Sequence, residues 1–202
     1  MQLRRNDVLR GAIELLDAKG LDGLTMRKLG AHLGVQQGGL YWHFTNKLAL
    51  LEAVAGALVE GVGDDLPPAP WAEQLDILAH RLRSALMAHR DGARVMAGTY
   101  TTDQNTLAIA RAGIDALCRA GFDRSEAAAA LTIIGHYVLG HTIEEQAMFG
   151  VDGPEHRRPE PPDGDDDDLD RLFYDTFTSD PATRFAYGIR TIINGLERQL
   201  SP

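Results

Sequence analysis

A chain of 202 residues, 44% of them hydrophobic, can bury a sizeable core and could hold a small module plus a larger domain. Its single cysteine, Cys118, excludes an internal disulfide. No apolar run reaches membrane-spanning length and no targeting tract is visible, so a reducing cytoplasm is the expected setting, with no membrane partner. The net charge of −9 excludes a generic basic nucleic-acid binder, yet residues 1–50 carry seven Lys/Arg against four Asp/Glu, leaving thirteen against twenty-five for the remainder. A positive footprint is thus confined to the N-terminal quarter.

In chain order, residues 5–18 place Val8, Leu9, Ala12, Ile13, Leu15 and Leu16 on an apolar helical stripe that Gly20 should stop. Thr25 can accept from the free amides of the next helix, whose Leu29 and Leu33 share an inner face. Gly34 suits the left-handed residue that closes that helix, with Val35 plugging the turn. A second short helix starts at Gln36. Its Leu40 and Phe44 face inward at i, i+4 spacing, which turns Gln37, Gly38, Tyr41, Trp42 and His43 largely outward.

This is the pattern of a helix-turn-helix. Such a motif sets the start of its second helix against base edges in the major groove, while phenol, indole and imidazole groups reach phosphates or thymine methyls. Thr25, Arg27, Gln36, Gln37, Gly38, Tyr41, Trp42, His43 and Lys47 form the expected DNA-binding set. Thr45 is the expected cap of the following helix.

That helix, over 46–62, connects the modules through Leu48, Leu51, Ala55 and Leu58, giving a DNA-binding domain at 1–46, a connecting helix at 47–63 and a second domain at 64–202. DDLPPAPW at 64–71 interrupts the period, and helices are expected over 72–89, 92–98, 103–120, 124–149 and 182–199. No strand pattern competes, so the fold class is all-α. Residues 151–180 hold four prolines and eleven acidic residues against three basic, which predicts a mobile acidic loop with a short helix near 168–178. Gly135, Gly140, Gly188 and Gly195 each cost roughly 1 kcal/mol relative to Ala inside a helix, which points to close packing there.

The stretch Val8 to Leu58 resembles the DNA-binding domain of the TetR-like repressors, in particular the tetracycline repressor branch, through GLTMRKLGAHLGV, LYWHF and NKLALL. HRDGARV at 89–95, RAGF at 119–122, GHYVLG at 135–140 and INGLERQL at 193–200 resemble that branch's ligand-binding and dimerisation domain in the same order. The resemblance implies a homodimer built on the 124–149 and 182–199 helices, a pseudo-palindromic double-stranded operator, and release by a small-molecule effector. It also implies a departure. Where the branch anchors a metal-chelated drug with an Asn, a Gln and two His residues, this chain carries Leu78, Gly113, Gly63 and Met96, and Leu82 replaces an aromatic. The expected pocket is therefore more apolar, formed by Leu78, Leu82, Met96, Thr99, Tyr100, Gly113, Leu117, His136 and Glu144, with no cofactor and no metal. Thr99, His136 and Glu144 would be its polar handles.

The residues also offer two other classes. His141 with Glu144 or Glu145 has a spacing that could hold a metal or support acid–base chemistry, but no third ligand, phosphate loop or nucleophile accompanies it. A DNA-organising protein without an effector would differ in showing no ligand-sensitive release.

Overall fold

The structure, a computed structural model, describes residues 3–99, 102–149, 160 and 169–200. All regular structure among them is helical: α1 (Arg5–Gly23), α2 (Met26–His32), α3 (Gln37–Leu40), α4 (Lys47–Leu58), α5 (Trp71–Met87), α6 (Gly92–Ala97), α7 (Gln104–Ala120), α8 (Arg124–Phe149), α9 (Leu169–Thr178) and α10 (Pro181–Leu200). None is long and apolar enough to cross a membrane. The mobile loop expected over 151–180 lies outside the described residues, apart from Glu160 and the segment from Leu169 onward, where α9 occupies the place of the expected short helix.

The small N-terminal core forms where the apolar stripe of α1 meets α2, α3 and α4. Val8, Ala12, Leu16, Leu29, Leu40 and Phe44 are buried together with Leu50 and Val54. Gly20, at φ +70, breaks the helical path of α1, which resumes for one turn to Gly23 rather than ending. Thr25 accepts from the Lys28 amide and Gly34 turns at φ +67. Asn46, not Thr45, caps α4: its Oδ1 accepts from the Ala49 amide at 2.8 Å, and Thr45 is one residue too early to reach that first turn. α4 also ends sooner than expected, at Leu58, with turns carrying the chain through Gly63.

The larger domain packs α5, α7, α8 and α10 around Leu75, Leu117, Ile134, Val138, Phe185 and Ile189, with Cys118 half-buried at the edge. Gly188 is an intramolecular notch, because a Cβ there would overlap the Tyr137 hydroxyl, which donates to the Arg184 and Phe185 carbonyls. Gly140 and Gly195 differ: they are exposed and a Cβ would meet nothing.

One buried polar group stands out. Arg83 of α5 grips Glu145 of α8 through Nε at 2.8 Å and a second bond from Nη2. His141, its side chain only 10% exposed, lies 3.7 Å from the same carboxylate, between Tyr137 and Phe185. Neither ring nitrogen has a hydrogen-bond partner. Burial pushes the imidazole below its ordinary value of 6.5, against the opposing pull of Glu145. The unfolded chain therefore takes up this proton first as pH falls, and stability drops through the region of 6.5 before levelling below the folded value. Melting temperatures from pH 7 to 5 should fall more steeply for the native protein than for His141→Leu. Parallel curves would show that His141 does not contribute.

Candidate nucleic-acid interface and effector cavity

At the N-terminal end, burial of Leu40 and Phe44 rotates the rest of α3 outward. Gln37 and Gly38 are exposed, Tyr41 is 44% exposed and Trp42 90%, while His43 is half-buried. Gln36 is the N-cap of α3, with its carbonyl accepting from the Gly39 amide. Arg27 is exposed on the first turn of α2 beside the half-buried Thr25, and Lys47 opens α4.

Two contacts here escaped sequence reasoning. The Arg5 guanidinium lies over the Phe44 ring, 4.6 Å from its centroid, fastening the start of α1 to the back of the motif. Gln37 Nε2 donates to the Tyr41 hydroxyl at 3.0 Å, one turn along α3. The i, i+4 spacing signals that second contact, but nothing in the sequence distinguishes it from two independent side chains.

In the larger domain an apolar cavity of about 70 Å³ lies between α5, α7 and α8, lined by Leu75, Leu78, Ala79, Leu82, Ile109, Leu131, Ile134, Gly135 and Val138. Of the expected pocket residues, it brings together Leu78 and Leu82. Gly113 backs it, since a Cβ there would sit 2.6 Å from Leu131, and Leu117 is buried in the adjoining core. Met96 packs between the two domains' cores. Tyr100 lies outside the described residues.

The three polar handles are not in the cavity. Thr99 donates its hydroxyl to the Val95 and Met96 carbonyls of α6, whereas His136 and Glu144 lie on the exposed face of α8, away from the buried Ile134 and Val138. The His141–Glu144 pair does not form either: His141 is buried against Glu145, which Arg83 occupies, while Glu144 points outward. Among the described residues no cluster of three or more His, Cys, Asp or Glu could hold a metal ion.

The cavity helices grip the DNA-binding module at several points. Gly63 meets α7 so closely that a Cβ would lie 2.5 Å from the Ile109 nitrogen; a Cβ on Gly56 would strike the Asp103 carboxylate, and Asn105 donates to the Gly56 carbonyl. The HRDG turn holds α1. Asp17 accepts from the Arg90 amide at 3.1 Å and faces His89 Nδ1 at 3.0 Å, while Asp91, at φ +57, accepts from the Leu21 amide.

A helix-turn-helix with an exposed aromatic head, joined through one helix to an all-α domain that holds an apolar cavity, is the architecture of a ligand-sensing regulator. Residues 8–54 match the bacterial regulatory proteins of the tetR family and residues 65–200 the tetracyclin repressor-like C-terminal domain, so the chain belongs to the TetR family, with a tetracycline repressor-like C-terminal domain. It is 40% identical to the tetracycline repressor protein class A from transposon 1721 of Escherichia coli, over 98% of this chain and 92% of that one. Its fold is similar to that of TetR-Q116A from Acinetobacter baumannii AYE in complex with minocycline (TM-score 0.78, 35% identity, 99% of each chain). It is also similar to BioQ with its double-stranded DNA operator (TM-score 0.73, 29% identity, 96% of this chain and 98% of that one).

Lys47→Ala should weaken binding to selected and unrelated duplexes by a similar factor, because a lysine at a phosphate carries no sequence information, and should lower the salt dependence by about one counterion. Titrations at two or three salt concentrations check this. Unchanged binding would remove Lys47 from the interface.

Proposed function

We propose that this protein is a homodimeric transcriptional repressor that leaves its operator when an effector with an apolar, metal-free buried portion enters the α5–α7–α8 cavity. The observation that carries the effector's chemistry is the cavity wall, which is apolar throughout. Each buried polar group left unpaired on a bound drug would cost about 1–3 kcal/mol, and Leu78, Leu82 and Ile109 offer no partner. Met96, a thioether, is a poor match for Mg²⁺. The reading narrows the expected ligand: with Thr99 committed to its own helix and His136 and Glu144 outside, the buried part needs no polar handles.

Size also matters. A cavity of about 70 Å³ lies well under the roughly 300–1,000 Å³ of drug-sized sites, so an effector must part the helices as it enters. Ile109 lines the cavity, and its own backbone nitrogen rests on Gly63. Displacing α7 therefore displaces the turns that follow α4, and α4 begins at the reading head with Lys47. The coupling free energy equals the effector's preference for the parted state.

Dimerisation through α8 and α10 is supported by what those helices leave wet: Ile133, Gly140 and Tyr187, with Gly195 in the same open surface. Leu172, Phe173 and Phe177 of α9 add apolar area that a monomer would expose. A two-fold arrangement would present two α3 helices about one DNA turn apart, roughly 34 Å. The cytoplasm, where chromosomal DNA lies, is the matching location.

Two measurements test this reading. Mg²⁺–tetracycline at low micromolar concentration should leave a labelled operator, selected from genomic fragments, bound to the protein; release that EDTA abolishes would overturn the apolar assignment. In sedimentation, Gly140→Leu and Gly195→Leu should shift a native dimer toward monomer and weaken two-half-site binding at least tenfold, as expected when bulk enters a packed contact. A native monomer at micromolar concentration, or variants that dimerise normally, would reject the interface.

A further inference from the structure

The reading head contains two glycines that the fold does not explain. α3 is only four residues long, Gly38 and Gly39 supply half of it, and each costs about 1 kcal/mol against Ala. Neither has a positive φ, and a Cβ at either position would meet nothing. Between the N-cap Gln36 and the buried Leu40, Gln37 is therefore the only residue of α3 with a side chain able to reach a base edge.

That side chain is not free. Its Nε2 donates to the Tyr41 hydroxyl at 3.0 Å, one helical turn further along the chain. A glutamine amide has two N–H donors and one carbonyl acceptor, and pairing with adenine uses one donor to N7 and the carbonyl from N6. With one N–H committed to Tyr41, what remains is one donor and the carbonyl, the set adenine requires. The phenol hydroxyl, while accepting from Gln37, still has its own proton to give to a phosphate oxygen.

We infer that Tyr41 is a positioning residue for base readout: it fixes the Gln37 amide in the adenine-reading orientation and ties that orientation to the DNA backbone, so that one base pair per half-site carries most of the specificity read by α3. This rests on α3 entering the major groove. Tyr41 then differs from an ordinary phosphate contact, whose loss weakens all sequences alike. Rotation of an unheld Gln37 amide would let its carbonyl and amino ends exchange, and discrimination at that pair would fall while general affinity largely survived.

The test begins with a duplex selected by the native full-length protein from a randomised library. The base pair under Gln37 is the one whose preference disappears in Gln37→Ala. At that pair, replacing A·T by G·C should lower native affinity by a factor on the order of 10 to 100. Tyr41→Phe should reduce this factor about tenfold while changing the discrimination at other pairs less than twofold. In the Gln37→Ala background, Tyr41→Phe should have no further effect on that pair, as expected for a residue acting through another. Unchanged melting temperature, with binding to unrelated duplex retained, separates the effect from unfolding.

A uniform loss across all duplexes with the ratio at that pair intact would make Tyr41 a plain phosphate contact and overturn the inference, as would no change at all. If the native protein selects no sequence, the placement of α3 in the groove fails with it. Gly39→Ala supplies an independent check: with open space around its Cβ the variant should fold at least as well as native, yet lose affinity for the selected duplex if a methyl intrudes between Gln37 and the bases. Full retention of that affinity would show that the bare backbone plays no part.

Discussion

The position of the DNA-reading module depends on two glycines, Gly56 inside α4 and Gly63 in the turns that follow it. Gly63 lies so close to the α7 backbone at Ala108 and Ile109 that no side chain fits, Gly56 lies against the carboxylate of Asp103, the N-cap of α7, and Asn105 adds a hydrogen bond to the Gly56 carbonyl. The Gly63 contact is to backbone and cannot relax by rotating a side chain away, so the segment that follows α4 is tied to α7. The cost is helix propensity, since Gly56 sits inside α4 where Ala would be favoured by about 1 kcal/mol. The connecting segment of this regulator has exchanged local stability for tight mechanical contact with the domain that senses the ligand.

A second connection runs in parallel. Gln146 of α8 donates to the Leu86 and His89 carbonyls and accepts from the Ala93 amide, fixing the turn between α5 and α6. That turn holds α1 through Asp17 and Asp91. Both cavity walls thus reach the DNA-binding module, α7 through α4 and α8 through the HRDG turn. An effector that parts α7 from α8 need not touch either relay; it has only to make the two attachments disagree in position.

Much of this was legible in the sequence, for physical reasons that also mark the limits. The motif from Thr25 to Phe44 could be read because capping, a positive-φ glycine and i, i+4 burial act over one or two turns, and each leaves its own residue type. Thr45 and Asn46 are both good caps, so spacing alone could not choose between them. α8 resisted. It is apolar around most of its circumference, with Ile134 buried and Ile133 exposed side by side, because one face meets α5 and α7 while the opposite face is left for another surface. Without a polar side to set the phase, His136 and Glu144 could not be assigned to the cavity or to the exterior. Gly188 shows the same limit in another form: its smallness was visible, but its partner Tyr137 lies 51 residues earlier and only the fold joins them.

The charge distribution fits the mechanical one. Positive charge is concentrated in the N-terminal module and the remainder of the chain is strongly acidic, so electrostatics favour DNA approaching one end and disfavour its spreading over the body. Such an arrangement keeps non-specific attraction on the small element whose orientation α4 and α1 control. If the basic surface extended over the sensing domain, non-specific affinity would survive a shift of the reading heads and an effector would release the protein poorly. Confining it there makes DNA affinity depend on the spacing of two small modules. In the proposed mechanism that spacing is set, through Gly56, Gly63 and the HRDG turn, by the packing around an apolar cavity.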